Sequence, residues 1–314
     1  MTATADTLKE ILVALCTKGT VTNIDLAGAN LSGISLEDAS FERVSFKDAN
    51  LSECSLKKTS FKECDLTGIN LSGSILADIS FAGCDMTEAN LSKCNIKDAS
   101  FVKSSITYAI FSHGSTKYTS FDDCDISNTG LYMYALEKVA FKNCNMKASH
   151  LTGSHVEDSS FMECNLSIVT VNHTVNNSRF TNCDMTGVIL SGCFLEKNSF
   201  SNCNMECTTF SVSSPQNSSF TACNMKHANL SLCCAEGVSL KDCDLDMAIF
   251  SGSIINNSSF RDCNMTGVNL AGGSFENSTF KNCDLQDSIL LPCLCLGKTS
   301  FVKCNTTREK KTAR

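Results

Sequence analysis

The sequence repeats every 20 residues, and this period constrains the fold more than any other feature. One column is almost entirely phenylalanine, interrupted only by Leu240, and a second column three residues later is mostly cysteine. Fixed self-similarity of this length predicts a solenoid of stacked coils. The phenylalanine column consists of Phe41, Phe61, Phe81, Phe101, Phe121, Phe141, Phe161, Phe180, Phe200, Phe220, Phe260, Phe280 and Phe301. The cysteine column consists of Cys64, Cys84, Cys124, Cys144, Cys164, Cys183, Cys203, Cys223, Cys243, Cys263, Cys283 and Cys304.

Each 20-residue repeat contains a finer period of five. Between residues 64 and 81 the apolar centres are Leu66, Leu71, Leu76 and Phe81, and a small or apolar residue stands two positions before each centre. A period of five fits neither an α-helix nor an alternating strand. It predicts a square coil in which the centre and the second residue before it point inward. About fourteen such coils, stacked at the spacing of a parallel sheet, predict a rod roughly 67 Å long.

The pentads resemble the A(D/N)LXX pattern of the pentapeptide-repeat family, as in Ala29-Asn30-Leu31-Ser32-Gly33. The resemblance covers residues 22–306 and implies an all-β fold, a right-handed quadrilateral parallel β-helix. The dense FxxCD(L/M) pattern is also similar to the β-helices of secreted bacterial effectors that carry a HECT-like ubiquitin ligase. No room for a ligase domain follows residue 306, so that activity is not expected here.

The two ends differ from the repeat. Residues 1–21 contain a predicted capping helix over 7–18, with a capping box from Thr7 to Glu10 and Gly19 after the helix end. Its apolar face is expected to cover the first coil, and a partner-binding helix is the alternative. Residues 307–314 are expected to form a disordered basic tail. The apolar face consists of Leu8, Ile11, Leu12 and Leu15.

The 21 cysteines do not indicate disulfides or a metal site. The chain begins without a signal peptide, which favours a reducing, cytoplasmic location. Thiols in one inward column are spaced about 4.8 Å apart along a line, whereas zinc needs four ligands converging on one point. The five histidines show no ligand spacing, and no motif of a nucleophile or phosphate-binding loop appears. We therefore expect no catalytic residue, metal or cofactor.

Irregular pentads are candidate functional sites. Pro215 occupies a pentad centre and predicts a dent or bulge, because proline cannot donate to a ladder. Smaller defects are predicted at the deletion in VNHTVNN and the insertion in LLPCLCLGK. All four tyrosines lie within 27 residues, and Tyr134 alone has an inward phase. Aromatic and methionine side chains favour a protein partner, and repeat drift without consequence is the alternative. The candidate partner-binding residues are Tyr108, His113, Tyr118, Tyr132 and Met133.

Charge leaves two functional hypotheses open. The net charge is −7, and the body without residues 306–314 has 22 basic and 32 acidic residues. Our first hypothesis is that the chain is a non-catalytic protein-binding scaffold. It would be of the bacterial effector type and would be secreted into a host cell without a classical signal peptide. The second is DNA mimicry, since some family members bind DNA gyrase and confer quinolone resistance. The candidate acidic face consists of Asp65, Asp85, Asp125, Asp184, Asp244 and Asp284.

DNA mimicry ranks second because asparagines interrupt this column and the charge is far below that of a duplex. Direct nucleic-acid binding and a membrane span are not expected. The open edge of the last coil is a predicted site of homodimerisation.

Overall fold

The computed structural model describes residues 5–17, 19–290 and 298–306 of the chain. It forms two compact units, Met1–His155 and Val156–Arg314. Each unit is a parallel β-solenoid, and the chain makes about fourteen turns in all. The predicted all-β solenoid with a short N-terminal helix is therefore confirmed.

Short strands form the sides of the coils in unit 1, after the helix α1 (Ala5–Cys16). The strands of unit 1 are β1 (Thr20–Thr22), β2 (Ser40–Glu42), β3 (Ser60–Lys62), β4 (Ile75–Ala77), β5 (Ser80–Ala82), β6 (Asn95–Lys97), β7 (Ser100–Val102), β8 (Ile110–Ser112), β9 (Ser115–Lys117), β10 (Ser120–Asp122), β11 (Gly130–Tyr132), β12 (Ala135–Glu137), β13 (Ala140–Lys142) and β14 (His150–Leu151), and β15 (His155–Glu157) contains the boundary.

Unit 2 continues the same pattern with fewer strands, because many of its sides pair through single bridges. Its strands are β16 (Ser160–Met162), β17 (Thr170–Val171), β18 (Thr174–Asn176), β19 (Arg179–Thr181), β20 (Ser199–Ser201), β21 (Ser219–Thr221), β22 (Cys234–Glu236), β23 (Ser239–Lys241), β24 (Ile254–Asn256), β25 (Ser259–Arg261), β26 (Thr279–Lys281) and β27 (Ser300–Val302).

The coil of residues 120–139 shows the four sides. The first side is β10 and carries the phenylalanine, the second is the bridge at Asp125, the third is β11 and the fourth is β12. Each side pairs in parallel with the equivalent side 20 residues away, as Phe121 does with Phe101 and with Phe141. We keep these names, first to fourth side, for the equivalent positions of every coil.

The interior follows the predicted inward rule. Cys64, Leu66, Ile69 and Leu71 are all at most 2% exposed. On the first side the phenylalanine rings stack in both units, for example Phe161 on Phe180 with centroids 4.7 Å apart. Offset stacking of this kind adds to the free energy gained by burying the ring area.

With one exception, at VNHTVNN, the corners described are made by a residue in the left-handed region. Asp48, Lys58 and Asp78 have φ values of 54°, 56° and 54°. This conformation costs a non-glycine residue roughly 1–2 kcal/mol. The next coil offsets the cost by accepting the corner N–H, as Asp48 donates to the carbonyl oxygen of Thr67 at 2.8 Å and Lys58 to that of Ala77.

The small inward residue of each pentad is also a hydrogen-bond donor. Thr59 Oγ1 donates to the Leu36 carbonyl oxygen at 2.8 Å, and Ser74 Oγ donates to the Leu51 carbonyl oxygen at 2.7 Å. Cys203 Sγ reaches the Phe180 carbonyl oxygen at 3.5 Å in the same way. In each case the acceptor lies 23 residues earlier. Serine, threonine and cysteine therefore alternate in these columns because all three satisfy a buried carbonyl of the preceding coil.

The core accommodates Tyr134, the tyrosine with the inward phase. Tyr134 is 1% exposed and its hydroxyl is 2.9 Å from Thr116 Oγ1. A Cβ at Gly114 would come within 2.8 Å of the Tyr134 ring. The weak pentad at Thr116 and the glycine therefore make room for one large ring.

The helix packs on the first coil with only part of the predicted face, since Leu12 is buried and Leu8 is half-buried. Leu12 is 2% exposed, and Lys9 Nζ donates to the Ser32 carbonyl oxygen at 2.7 Å. Ile11 and Leu15 of the same face are 49% and 37% exposed. The helix also ends at Cys16 rather than at residue 18, and the Thr7 side chain of the proposed capping box lies outside the described residues.

Pro215 does not produce the predicted bulge. Its side chain is buried, and Ser214 keeps its register with Phe194. At equivalent positions the N–H donates to the next coil, as Leu195 does to the Ser214 carbonyl oxygen. For Pro215 that acceptor is the carbonyl oxygen of Cys234, which instead receives Ser214 Oγ at 2.9 Å and Gln216 Nε2 at 3.0 Å. Two side-chain donors thus replace the missing backbone donor.

Of the other two predicted defects, the deletion lies within the described residues. At VNHTVNN the chain lacks one corner residue, yet Thr174 still pairs with Phe194. The insertion in LLPCLCLGK falls largely on residues 291–297, outside the described residues, as does the predicted tail 307–314.

Candidate protein-binding surface

The third side of unit 1 brings together most of the candidate partner-binding residues. Tyr108 stands at the corner before this side, Tyr132 on its strand, and His113 and Met133 at the corner after it. Tyr108, Tyr132 and Met133 are 59%, 41% and 65% exposed, so the predicted outward phase of these tyrosines is confirmed. Ile110 and His150, which the sequence did not single out, lie on the same side and are exposed.

The Tyr132 ring lies flat across this side. Gly130 is its neighbour two residues earlier, and a Cβ there would come within 2.5 Å of the ring. Gly130 pairs with Ile110 in one neighbouring coil and with His150 in the other. The ring therefore fills the gap left in the column Ile110–Gly130–His150, and it stacks on the His150 imidazole with centroids 6.3 Å apart and planes 12° apart.

Glycine also orders the corner beside this ring. Met133 has a φ of 50° and its Cγ would lie 3.3 Å from a Cβ at Gly153, so the side chain leans onto the glycine of the next coil. The His113 N–H donates to the Tyr132 carbonyl oxygen at 3.2 Å. We call Tyr108, Ile110, Tyr132, Met133 and His150 the tyrosine face.

No charged residue interrupts the tyrosine face. Residues 94–155 are all described and include eleven Asp, Glu, Lys or Arg residues, and none occupies the third side or its corners. Interface centres are depleted in charge and enriched in tyrosine and methionine. A desolvated partner would therefore meet flat aromatic and thioether groups without burying an ion.

Tyr118 stands apart from the other candidates. It lies at the corner between the fourth and first sides and is 45% exposed. Lys117 Nζ and Lys138 Nζ lie 5.1 Å and 5.2 Å from its ring centroid, and both ammonium groups also bind Glu137. Its surroundings are those of a solvated charge cluster.

The candidate acidic face is a ladder of turns. Asp65 Oδ1 accepts the Thr67 N–H at 3.0 Å, and each of the six aspartates accepts the N–H two residues later in the same way. Asparagine does the same at equivalent positions, as Asn264 does for Thr266. The column alternates between the two because the fold needs the side-chain oxygen there and not the charge.

Side chains of neighbouring coils also bind the carboxylates of this column. Asn145 Nδ2 donates to Asp125 Oδ1 at 3.1 Å, and Asn264 Nδ2 donates to Asp244 Oδ1 at 2.9 Å. Lys226 Nζ lies 3.2 Å from Asp244 Oδ2. The negative charges of this column are therefore spaced much more widely than those of duplex DNA, which carries one charge per 1.7 Å or so.

The cysteines fall into buried and exposed groups. Burial raises the pKa of the Cys94 and Cys193 thiols to about 12. Cys233 is buried, but Cys207 and Cys234 are exposed. Among the described residues no group of three or more His, Cys, Asp or Glu could hold a metal ion. Nor does any described helix have the length and apolarity to cross a membrane.

Comparisons with known proteins agree with the coil geometry. Models of the pentapeptide repeat region and of pentapeptide repeats match residues 17–83 and residues 178–211, 218–257, 236–272 and 258–290, together more than half of the chain. A search of curated proteins found no significant match.

Solved structures with detectable likeness are distant. A pentapeptide repeat protein from the Arabidopsis thaliana thylakoid lumen is 22% identical over 31% of this chain and 68% of its own, with a TM-score of 0.29. The fluoroquinolone resistance protein QnrB1 is 18% identical over 58% and 91%, with a TM-score of 0.32. HetL from Nostoc sp. strain PCC 7120 is 16% identical over 93% of both chains, with a TM-score of 0.23. These values carry no argument about function. The pentad pattern, the coil geometry and the matched repeat models together establish that the chain belongs to the pentapeptide-repeat family.

Proposed function

We propose that the chain is a non-catalytic scaffold that binds a protein partner through the tyrosine face. The observation that carries this proposal is the Tyr132 ring, held flat over Gly130 beside His150. A ring that is already ordered loses little conformational entropy on binding, which is why rigid aromatic residues dominate binding energy. Tyrosine and histidine also offer hydrogen-bonding groups at the edge of an apolar surface.

The experiment compares tagged variants in affinity capture from bacterial and host-cell lysates, followed by binding measurements with each purified candidate. The host lysate covers the effector-type role expected from the sequence. Tyr132→Ser should weaken binding at least tenfold, since a central aromatic anchor contributes about 2 kcal/mol or more. Tyr118→Ser is the matched control, because Tyr118 is equally exposed outside the face. Equal loss in both variants would refute the proposal.

A second variant tests the ring position without changing any tyrosine. Gly130→Ala would displace the Tyr132 ring, and Gly130 does not require a positive φ. We expect weaker binding with an unchanged melting temperature.

DNA mimicry is the alternative function, and a DNA gyrase assay tests it. The assay asks whether stoichiometric protein inhibits or protects DNA gyrase supercoiling. If it does, and if the effect is lost when Asp65 and Asp85 are changed to Asn, DNA mimicry by the acidic column would replace the scaffold proposal. Asparagine preserves the turns, so this variant isolates the charge.

A further inference from the structure

Charge and exposed apolar side chains are segregated in unit 2. Between residues 168 and 276, all described, there are fourteen Asp, Glu, Lys or Arg residues. None of them lies on the third side, its two corners, or the first outward position of the fourth side. We call these outward positions between Ile168 and Ser274 the neutral band.

The neutral band carries most of the exposed apolar surface of its unit. Eight of the twelve exposed large hydrophobic side chains described in unit 2 lie on it, and several are more than half exposed. Most of the remaining positions hold serine, threonine, asparagine or glycine, and the others include Cys207, His227, Cys234 and Ala271. The eight are Ile168, Ile189, Phe194, Val212, Leu232, Met247, Ile249 and Ile254.

Glycines make the band flat. Leu232 Cδ2 would lie 2.9 Å from a Cβ at Gly252, so its side chain extends over the glycine of the next coil. Met247 leans over Gly267 in the same way at the opposite corner. The large corner residues therefore lie along the surface, and a second flat surface can approach it.

From this surface we infer that the neutral band mediates association with a second copy of this chain. The chain carries a net charge of −7, and the other sides between 168 and 276 hold nine acidic and five basic residues. Two copies that met through those sides would desolvate ionised side chains and bring together an excess of acidic groups. The band is a surface of unit 2 on which two copies can meet without burying an ion, and exposed aliphatic side chains like its eight are typical of contacts between identical subunits.

The size of the band sets the strength of this association. Its third side spans six coils, or roughly 29 Å by 16 Å at the usual strand spacing and rise. That footprint of about 460 Å² is smaller than the roughly 800 Å² per partner of a stable complex. The dimer is therefore transient and depends on concentration. This inference does not rest on the tyrosine face, which belongs to unit 1.

The experiment is sedimentation velocity of the full chain under reducing conditions, from about 1 to 200 μM. We expect the weight-average sedimentation coefficient to rise with concentration, and to rise equally at high salt because no ion pair is involved. Leu232→Glu should abolish the rise by placing a charge on the band. Met162→Glu is the matched control, since Met162 is 44% exposed on the first side of the same unit.

Two further variants make the result decisive. Val212→Lys places a positive charge in the same corner column in which Leu232→Glu places a negative one. If both variants lose the dimer, the loss does not depend on the sign of the charge. Phe301→Glu alters the last coil, where Phe301 is 40% exposed. Thermal melts should show every variant folded. The inference is overturned if the wild type stays monomeric, if Leu232→Glu dimerises like the wild type, or if Phe301→Glu alone abolishes association.

Discussion

The rings of Phe81 and Phe101 stack with centroids 4.9 Å and planes 16° apart, although twenty residues separate them. Their Cα atoms are partners in the parallel pairing of β5 with β7. This one contact joins the sequence period to the coil, because it requires one complete turn between the two residues. The same 20-residue turn determines which residues lie side by side on the tyrosine face and on the neutral band.

Removing a ring from the stack should destabilise the solenoid. Phe101 is fully buried between Phe81 and Phe121. We expect Phe101→Ala to lower the free energy of unfolding by about 3–5 kcal/mol, the usual cost of deleting a buried ring. Phe101→Leu should cost less than half as much, since Leu240 fills the same column at 1% exposure. Urea denaturation followed by circular dichroism measures both, and equal costs would contradict the stacking account.

Alkaline pH should destabilise the fold through buried thiols. Desolvation raises the pKa of Cys94 and Cys193 from 9.0 to about 12. Because the folded state holds these protons more tightly than the unfolded state, their stabilisation is complete below about pH 8.5 and is lost as the pH rises toward 12. Between those values each thiol removes about 1.4 kcal/mol per pH unit.

Urea midpoints measured from pH 8 to pH 11 test this dependence. The double variant Cys94→Ser, Cys193→Ser should show a shallower fall, because serine does not ionise and already occupies these columns at Ser74 and Ser213. A wild-type midpoint that stays constant over this range would show that the thiols are not held in a dry interior.

The replacement of a backbone donor at Pro215 can be tested with a double-mutant cycle. In the wild type, Ser214→Ala removes a hydroxyl that bonds the Cys234 carbonyl oxygen, and we expect a cost of about 0.5–1 kcal/mol. In the Pro215→Leu background the leucine N–H can donate to that carbonyl, so the same change should cost almost nothing. Chemical denaturation of the four proteins gives the coupling energy. A coupling energy of zero would mean that the hydroxyl does not substitute for the missing N–H.

Much of the fold can be predicted from the sequence because one rule is repeated many times. The inward phase of Leu66, Ile69 and Tyr134, and the outward phase of Tyr108 and Tyr132, follow from the five-residue period alone. The predicted bulge at Pro215 was wrong because the rule for proline in strands considers only the backbone. The compensating donors become visible only when Cys234 of the next coil is placed beside Ser214.

The candidate surface was harder to predict, because proximity in sequence misleads in a square coil. Tyr108 and Tyr118 are ten residues apart, which is half a turn and places them at opposite corners. Ile110 and His150 are forty residues apart, yet both lie on the tyrosine face. The helix shows a similar limit, since its apolar face indicates what can be buried but not that Leu12 is buried while Ile11 and Leu15 stay exposed.

Site-specific photocrosslinking tests the central claim most directly. A photoreactive phenylalanine is placed at Tyr132 on the tyrosine face, and in a second protein at Lys142, which is exposed on the first side. After irradiation in lysate we expect one protein to crosslink at position 132 and not at 142, and Gly130→Ala to reduce its yield. Equal crosslinking of that protein at both positions, or crosslinking at 142 alone, would contradict the assignment of the tyrosine face.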